Sequence, residues 1–400
     1  MFKPNSIICG DCEDVLKKFP DNCIDLIYAD PPFFTQKNYE IIWGDGYEIR
    51  AFEDRWKGGK KGIYTYIEWM RPKIEQIYRV LKKTGSFYLH CDWHASHYLK
   101  VLCDEIFGYD KFRNEVIWHY TGGGRAKRYF SRKHDTLLYY TKTDTWTFNI
   151  DEIRVPYKET SGYAKGGIVS RAGKKYMPNP KGTPMDDVWD IPIINPLSKE
   201  RLGYPTQKPE RLLEVIIKAS SNPTDIVLDP FCGCGTAIAV AHKLGRRWIG
   251  IDISPTACRL MVKRMQKLGV RITESDVIGM PMSEEELKAL NPYEFQNWVC
   301  QRINARVSAR KSGDMGIDGW VNTIPIQIKQ SERVGRNVID NFETALRRVK
   351  KKKGIIIAFS FTKGAYAEAS RAEAQEGVKI RLLTVKELLD KKTVWLEEVF

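Results

Sequence analysis

The chain has 400 residues, which is enough for two or three domains with buried cores. Its formal net charge of +14 favours a polyanionic partner, with nucleic acid ahead of a membrane surface. No apolar run approaches the length of a membrane span, and the first residues lead directly into a strand-like segment, which argues against a signal peptide. The nine cysteines show no disulfide-like spacing. We therefore expect a cytoplasmic protein with reduced thiols.

The chain begins with a short strand over residues 6–12, and a helix over about 13–19 follows. Asp11 then lies on the loop between the two elements. Asp favours the N-cap position of helices in any protein, so Asp11 is suited to cap this helix.

Residues 24–33, Ile-Asp-Leu-Ile-Tyr-Ala-Asp-Pro-Pro-Phe, begin as a buried strand and end in a rigid corner. Pro31 and Pro32 cannot donate backbone hydrogen bonds and each fixes its own φ, so the strand stops there. Asp30 and Phe33 are thereby held at the carboxyl edge of a sheet, where α/β folds bind ligands. A carboxylate, main-chain carbonyls and an aromatic ring together suit a planar group that bears an exocyclic amine.

The corner Asp-Pro-Pro-Phe resembles the catalytic motif of the DNA amino-methyltransferases, which methylate the exocyclic nitrogen of adenine or cytosine. The resemblance implies that Asp30, Pro31, Pro32 and Phe33 are the catalytic residues. It also implies that Asp11 faces the adenine of the cofactor, a role that is compatible with capping the helix. Asp at position 30 favours adenine, because the cytosine-N4 enzymes more often carry serine there.

Residues 34 to about 62 predict a long polar loop beside this corner, of the kind that forms lids or binding loops. An amphipathic helix over 63–82 follows, and then strands at 86–90, 113–119 and 134–141. Basic residues alternate with aromatic ones in the loop, as suits DNA backbone and unstacked bases: Lys37, Tyr39, Trp43, Arg55, Trp56, Lys57, Lys60 and Lys61.

A strongly basic segment, residues 121–133, separates the last two of these strands. Its cations favour contact with DNA phosphates: Arg125, Lys127, Arg128, Arg132 and Lys133. Over residues 144–203 the pattern weakens into Pro, Gly, Lys and isolated aromatic residues. We expect this irregular insertion to read the target sequence.

A regular pattern returns at residues 204–209, Tyr-Pro-Thr-Gln-Lys-Pro, before a helix over 210–220. Residues 225–236 then predict a buried strand, a glycine loop and a helix start, in which glycines let the backbone pass close to a ligand. The next strand, over 247–252, ends in Asp252. A βαβ nucleotide site places a carboxylate there to bind ribose hydroxyls.

This combination resembles the S-adenosylmethionine site of the amino-methyltransferases over about residues 5–268. The order of catalytic corner, variable region and cofactor loop matches their circularly permuted β class. The resemblance implies a Rossmann-like α/β methyltransferase domain over residues 1–272 that uses S-adenosylmethionine. It further implies that the following residues border this cofactor: Asp11, Thr206, Lys208, Asp229, Phe231, Gly233, Gly235 and Asp252.

The tail does not belong to this fold. After a linker over residues 273–290, residues 291–400 predict a smaller α/β domain. Asp318 precedes a strand in which alternation puts Gln327 and Lys329 on one face beside it. Such a cluster can hold a divalent metal and orient a water molecule against a phosphodiester.

The cluster resembles the Mrr-like branch of the restriction-endonuclease fold, where glutamine can replace the usual acidic residue. The resemblance implies that Asp318 is a metal ligand, with Mg²⁺ as the cation, and that Glu294 is the helix carboxylate of the nuclease site. A tail that has this fold but only binds DNA is the alternative.

The sequence therefore predicts a site-specific DNA methyltransferase that acts on N6 of an adenine flipped out of double-stranded DNA. One alternative is a cytosine-N4 methyltransferase. Another is a single-chain restriction–modification enzyme that cleaves DNA with Mg²⁺. The sequence leaves the oligomeric state open, with a homodimer as one option.

Overall fold

The protein has an α/β architecture with two main sheets, as the sequence predicts. The computed structural model describes the following residues: 2–35, 37–43, 47–54, 62–122, 125–158, 160–204, 206–307 and 316–390. None of the helices in these ranges is long and apolar enough to cross a membrane.

The first part of the chain contains seven helices and twelve strands in the described ranges. The strands are β1 (Ser6–Cys9), β2 (Ile24–Ala29), β3 (Lys37–Trp43), β4 (Tyr47–Asp54), β5 (Leu81–Cys91), β6 (Phe112–His119), β7 (His134–Thr141), β8 (Ile168–Val169), β9 (Lys175–Tyr176), β10 (Val188–Asp190), β11 (Ile226–Asp229) and β12 (Arg247–Asp252). The helices are α1 (Cys12–Leu16), α2 (Gly62–Val80), α3 (Ser96–Phe107), α4 (Gly162–Gly166), α5 (Glu210–Ser220), α6 (Thr236–Lys243) and α7 (Pro255–Lys267).

Eight of these strands form the large sheet, in the order β1-β12-β11-β2-β5-β7-β6-β10. All neighbours pair in parallel except β7, which is antiparallel to both β5 and β6. The carboxyl ends of the parallel strands therefore meet at one edge. The late strand β11 lies directly beside the early strand β2. The circular permutation stays a prediction, because it is a statement about the chain order of relatives.

Alternation along the strands builds a core on each face of this sheet. In β2, Leu26 and Tyr28 pack with α5, α6 and α7, whereas Ile27 and Ala29 pack with α1, α2 and α3. The result is a layer of helices on both faces. The central strands have no solvent-exposed face, which explains why β2 and β11 are apolar almost throughout.

The interpretation of residues 34–62 as a loop is wrong for β3 and β4, which pair as an antiparallel hairpin. Tyr, Ile, Phe and Trp in these stretches suit a pleated strand, and their mixture with charged residues hid this preference. Within the predicted basic and aromatic set, Lys37, Tyr39 and Trp43 belong to β3. Arg55, Trp56, Lys57, Lys60 and Lys61 lie outside the described residues.

The insertion over residues 144–203 is largely irregular, as predicted, with short elements only. It contains α4 and the small β8–β9 hairpin. Its strand β10 pairs in parallel with β6 and becomes the edge strand of the large sheet. Three residues are too few to show a strand period in sequence, so this extension was not predicted.

The tail forms a second α/β unit around a five-stranded sheet, in the order β13-β14-β15-β16-β17. Its helices pack on both faces in two further core clusters. The strands are β13 (Arg306–Val307), β14 (Gly319–Val321), β15 (Ile324–Lys329), β16 (Lys353–Ala358) and β17 (Lys379–Thr384). The helices are α8 (Glu284–Ala289), α9 (Pro292–Arg302), α10 (Arg336–Arg348), α11 (Lys363–Glu376) and α12 (Val385–Asp390).

The predicted linker, residues 273–290, contains helix α8. The side chain of Ser283 and that of Glu286 form a capping box at the start of this helix. Leu287 is fully buried in the core of the tail. The chain thus joins the core of the tail before residue 291, where the sequence pattern places the start of this domain.

Candidate active site and cofactor cavity

The corner after β2 lies in the middle of the large sheet, between β11 and β5. Pro31 is buried, while Asp30 and Phe33 are partly exposed toward the carboxyl edge. Phe34 has a φ of 64°, in the left-handed region that a bulky side chain rarely adopts. Its ring packs 5.8 Å from the ring of Tyr66 in α2, which helps to hold this backbone. Local strain held by surrounding packing is typical of functional corners.

Lys208 reaches the carboxylate of this corner. Its Nζ lies 2.6 Å from Oδ2 of Asp30, and the two side chains are only 10% and 15% exposed. The same Nζ lies 4.9 Å from the centre of the Phe33 ring. The sequence predicts Lys208 at the cofactor, and the structure adds that it pairs with the proposed catalytic carboxylate.

A buried histidine that the sequence did not single out as catalytic stands behind Phe33. The rings of His90 and Phe33 are 5.4 Å apart. Nδ1 of His90 is 2.7 Å from the hydroxyl of Tyr28, and Nε2 is 3.3 Å from Oδ2 of Asp135. Burial raises the pKa of Asp135, but His90, Lys208 and a hydrogen bond from Tyr120 lower it further, so the pKa lies below its usual value. This network fixes the wall against which Phe33 rests.

A cavity of about 580 Å³ opens from this corner along the carboxyl ends of β2, β11, β12 and β1. Its volume falls in the range of sites for drug-sized ligands and cofactors. Most of the residues that the sequence predicts for the catalytic corner and the cofactor site line this cavity: Asp11, Asp30, Pro32, Thr206, Lys208, Asp229, Phe231, Gly233 and Asp252. The exceptions are Pro31, Phe33 and Gly235.

The glycine loop between β11 and α6 brings the backbone close to the cavity. Gly233 has a φ of 51°, and a Cβ there would meet Cε1 of Tyr204 at 3.1 Å. Gly235 has a φ of 81°, and its Cβ would meet Cγ of Met261 at 3.0 Å. Both positions therefore require glycine for conformation and for space.

Two carboxylates hold this loop. Oδ2 of Asp252 accepts a hydrogen bond from the backbone of Gly233 at 2.8 Å, and burial raises the pKa of Asp252 to about 6. Asp229 accepts from the backbone of Phe231 at 3.0 Å. Burial also raises the pKa of Asp229 well above its usual value, and the nearby charges of Asp30 and Asp252 add to this effect. Concentrated buried carboxylates of this kind are typical of binding sites.

Asp11 has both of the positions that the sequence suggests. Its side chain caps α1 by accepting a hydrogen bond from the backbone of Glu13 at 2.8 Å. It also lines the cavity. Asp11 follows β1, and β12 and β11 separate this strand from β2, which leads to the catalytic corner. Sequence reasoning did not assign several other residues to the lining, among them Trp69, Tyr204 and Ser254. Of these, Ser254 carried a signal, since it follows the terminal Asp252 and starts a helix with proline at its first turn.

The predicted basic segment lies after β6, at the same edge of the sheet as the cavity. Arg132 stacks over the ring of Trp93 at 3.7 Å, and Lys133 bonds to the carbonyl of Gly122. The ring of Phe130 is 98% exposed. Arg125, Lys127, Arg128 and Arg132 are also exposed. Exposed cations interleaved with aromatic rings suit nucleic acid.

In the tail, Asp318 lies beside β15 as predicted. Its carboxylate accepts from the backbone of Ile328 at 2.7 Å, and its own N–H donates to Ile326 at 2.8 Å. Gln327 is buried, and its Oε1 has no hydrogen-bond partner among the described residues. Lys329 lies two positions further on the same face and is partly exposed.

Glu294 does not lie where the nuclease interpretation expects it. Its carboxylate accepts hydrogen bonds from Ser254 at 2.7 Å and from Thr256 at 3.1 Å, and it lines the cavity at the carboxyl edge of the large sheet. Burial raises the pKa of Glu294 to about 6. The helix prediction around it is right, but no local pattern shows which domain a helix end faces, and we correct the assignment of Glu294.

One group of acidic side chains in the described ranges lies close enough to share a cation, and Asp318 is not part of it. The group bridges α10 and α11, and three arginines pair with it, which satisfies its charge without a metal. The acidic residues are Asp340, Glu343 and Glu368, and their partners are Arg336, Arg347 and Arg371.

Comparison with known families matches residues 24–263 to a family described as DNA methylase, over more than half of the chain. Residues 287–391 match a family described as restriction endonuclease. The DNA adenine methyltransferase YhdJ of Escherichia coli K12 is 35% identical over 262 residues, which is 65% of this chain and 82% of that protein. The type II methyltransferase M.HpaI of Haemophilus parainfluenzae is 33% identical over 284 residues, 70% of this chain and 78% of that protein.

Among solved structures, that of the PvuII DNA methyltransferase (cytosine-N4-specific) is similar to this chain, with a TM-score of 0.47 and 18% identity. The similarity covers 69% of this chain and 90% of that chain.

Proposed function

The chain belongs to the N6/N4 DNA methylase family and carries a restriction-endonuclease-like domain, and from this premise we propose its specific reaction. The protein is an S-adenosylmethionine-dependent DNA methyltransferase, and we propose that it methylates N6 of adenine at a specific site in double-stranded DNA. One observation carries the proposal. The corner with Asp30 and its partner Lys208 opens into the same cavity as the glycine loop and Asp252.

The residues of the cavity fit S-adenosylmethionine. The close backbone at Gly233 leaves room for a ligand, and Asp252 offers a carboxylate to ribose hydroxyls. Asp11 lies at the far end, where it can accept from the adenine amine. When bound, the cofactor supplies an activated methyl group on its sulfonium. Asp229 and Asp30 lie at the other end of the cavity, where they would face the methyl group of the bound cofactor.

The catalytic corner prepares the amine of the target base. The base must leave the duplex to reach a buried donor, and Phe33 then stacks on it, which is worth about 1–3 kcal/mol for base–aromatic contacts. Asp30 and a main-chain carbonyl of the proline corner accept the amine hydrogens. The nitrogen lone pair would thereby be directed out of ring conjugation and toward the methyl group that a bound cofactor would supply. Lys208 and His90 keep Asp30 and Phe33 in position.

The choice of adenine rests on Asp30, because the cytosine-N4 enzymes of this family more often carry serine there. The name of YhdJ, a DNA adenine methyltransferase, supports the same choice. Cytosine-N4 is the alternative target. We also retain cytoplasmic localisation and a homodimer as predictions.

The test is incubation of the protein with varied plasmid DNA and isotopically labelled S-adenosylmethionine, followed by digestion to nucleosides. We expect the label in N6-methyladenine, and its loss by at least 100-fold in Asp30→Ala. Asp14→Ala, an exposed carboxylate on α1, is the matched control and should methylate like the wild type. Label in N4-methylcytosine would correct the target, and an active Asp30→Ala variant would refute the catalytic assignment.

A second candidate function, Mg²⁺-dependent DNA cleavage by the tail, is favoured by one observation. The buried Oε1 of Gln327 has no partner among the described residues and lies on the strand next to Asp318. Such an oxygen can join the carboxylate in holding a divalent cation, and Lys329 can orient the attacking water. The test is nicking of the same plasmid with and without Mg²⁺. We expect Lys329→Ala to abolish cleavage and to leave methylation unchanged, whereas cleavage by Lys329→Ala would contradict the assignment.

A further inference from the structure

The methyltransferase cavity is walled in part by residues of the tail. Ala289, Leu290, Asn291 and Glu294 line it together with the methyltransferase residues. They lie at the end of α8 and the start of α9, within the part of the chain that matches the restriction-endonuclease family. A methyltransferase domain that ended near residue 268 would lack this wall.

Glu294 is the charged residue of this wall and is only 8% exposed. Each of its oxygens accepts one hydrogen bond, from Ser254 and from Thr256. A carboxylate oxygen has two lone pairs, so Glu294 retains the capacity to accept from a ligand. Ser254 follows Asp252 by two positions, and both carboxylates therefore border the same end of the cavity.

Burial makes the charged form of Glu294 costly. Burial, together with a smaller contribution from the charge of Asp252, raises the pKa of Glu294 to about 6. The hydroxyl groups of Ser254 and Thr256 oppose the rise only in part. Glu294 is buried and Asp252 is half-buried, and carboxylates with raised pKa values that share one end of a cavity are typical of binding sites.

The position of this wall is fixed by a second set of contacts between α7 and α9. Nη1 of Arg259 donates to Oε1 of Gln301 at 2.7 Å, and Nε2 of Gln301 lies 3.4 Å from Oγ1 of Thr256. Arg259 is also paired with Glu274 at 3.0 Å. Glu294, near the start of α9, and Gln301, near its end, therefore both hold this helix against the first half of α7.

The strand order shows which end of the cofactor the wall would meet. Asp252 ends β12, and β11 separates this strand from β2, which leads to Asp30. Neighbouring strands lie about 4.8 Å apart, so the end of β12, which the wall borders, is about 10 Å from the end of β2. The wall would therefore meet the adenosine end of the cofactor and not the sulfonium.

We propose that the tail completes the cofactor site, with Glu294 accepting a hydrogen bond from the adenosine part of S-adenosylmethionine. This proposal rests on the proposed function of the cavity. A ligand that contacts both domains binds best when they are docked, and by linkage it stabilises the docked arrangement to the same extent. Cofactor binding and the position of α9 are thus coupled.

The test uses the full-length protein and S-adenosylhomocysteine, the stable product of the methyl donor. We expect Glu294→Gln to weaken its binding about tenfold in calorimetric titration, because the amide removes one charged acceptor. In the wild type we expect the ligand to slow hydrogen exchange in α9, residues Pro292–Arg302. Glu285→Gln, an exposed residue of α8 with the same change of charge, is the matched control and should bind like the wild type.

The outcomes separate this proposal from the function on which it rests. Wild-type protein that does not bind the ligand would overturn both. Binding by the wild type with an unchanged affinity in Glu294→Gln would overturn the role of the tail alone. Exchange in α9 that is the same with and without bound ligand would also overturn it, and this measurement needs no variant that has to fold.

Discussion

The ion pair between Asp30 and Lys208 is the central polar contact of the catalytic corner. Both side chains are largely buried. The ammonium nitrogen of Lys208 also lies over the ring of Phe33, 4.9 Å from its centre. Removal of one partner of such a pair leaves the other charge uncompensated, whereas exposed pairs contribute little. In the proposed reaction, Lys208 thus orients a carboxylate whose oxygens face the target amine.

We predict that Lys208→Met lowers kcat for methylation about 100-fold, because Asp30 loses its fixed orientation. The measurement is steady-state kinetics with labelled S-adenosylmethionine, together with thermal unfolding to show that the variant is folded. Lys17→Met removes an exposed pair with Glu13 and should change neither quantity. An active Lys208→Met variant would show that Asp30 is oriented without this pair.

At the scale of elements, each functional loop follows a strand of the large sheet and inherits its position. The catalytic corner follows β2, and the glycine loop follows β11, its direct neighbour. The glycine loop then starts α6, with Gly235 as the N-cap. Since parallel strands end at the same edge, two motifs that are far apart in sequence face one cavity.

We predict that Gly233→Ala abolishes detectable cofactor binding and destabilises the protein by about 1–2 kcal/mol. The φ of 51° disfavours a side chain, and a Cβ would press on Tyr204 at 3.1 Å. Gly269→Ala shares the positive φ, 85°, but its Cβ would meet open space. It should lose similar stability in thermal unfolding and still bind S-adenosylhomocysteine. Equal binding by both variants would show that the glycine loop does not approach the cofactor.

For the whole molecule, basic residues outnumber acidic ones by 64 to 50, but the position of each cation decides whether it can contact DNA. The segment over residues 125–133 lies at the carboxyl edge of the large sheet, the edge at which the catalytic corner also lies. Lys267, at the end of α7, lies at the opposite edge, because a helix that follows a parallel strand runs back along the sheet. In the proposed function, cations on the first edge are therefore better placed than Lys267 to contact DNA whose base enters the cavity.

We predict that Lys127→Ala weakens DNA binding and reduces the slope of log affinity against log salt by about 1, as the loss of one phosphate contact requires. Fluorescence anisotropy with a labelled duplex at several salt concentrations measures both quantities. Lys267→Ala carries the same change of charge and should leave the slope unchanged. If both variants behave alike, the positive charge acts as a diffuse field and the segment makes no specific contact.

The sequence by itself determined the α/β class and the places of the Asp-Pro-Pro-Phe corner and the glycine loop at strand ends. Buried parallel strands are continuously apolar, and prolines and glycines at their ends have few structural alternatives. The bounds of α5 and β12 were predicted to the residue for this reason. The hairpin β3–β4 was missed, because charged residues interrupt its alternation.

Only the tertiary structure decided how these pieces meet. The pairing of Lys208 with Asp30 and the place of His90 behind Phe33 join residues that no periodicity connects. Glu294 shows this most clearly. The helix that carries it was predicted, whereas its contacts with Ser254 and Thr256 of the methyltransferase domain were not. Local sequence determines the conformation of a segment, whereas the contacts of its side chains depend on how whole elements and domains pack.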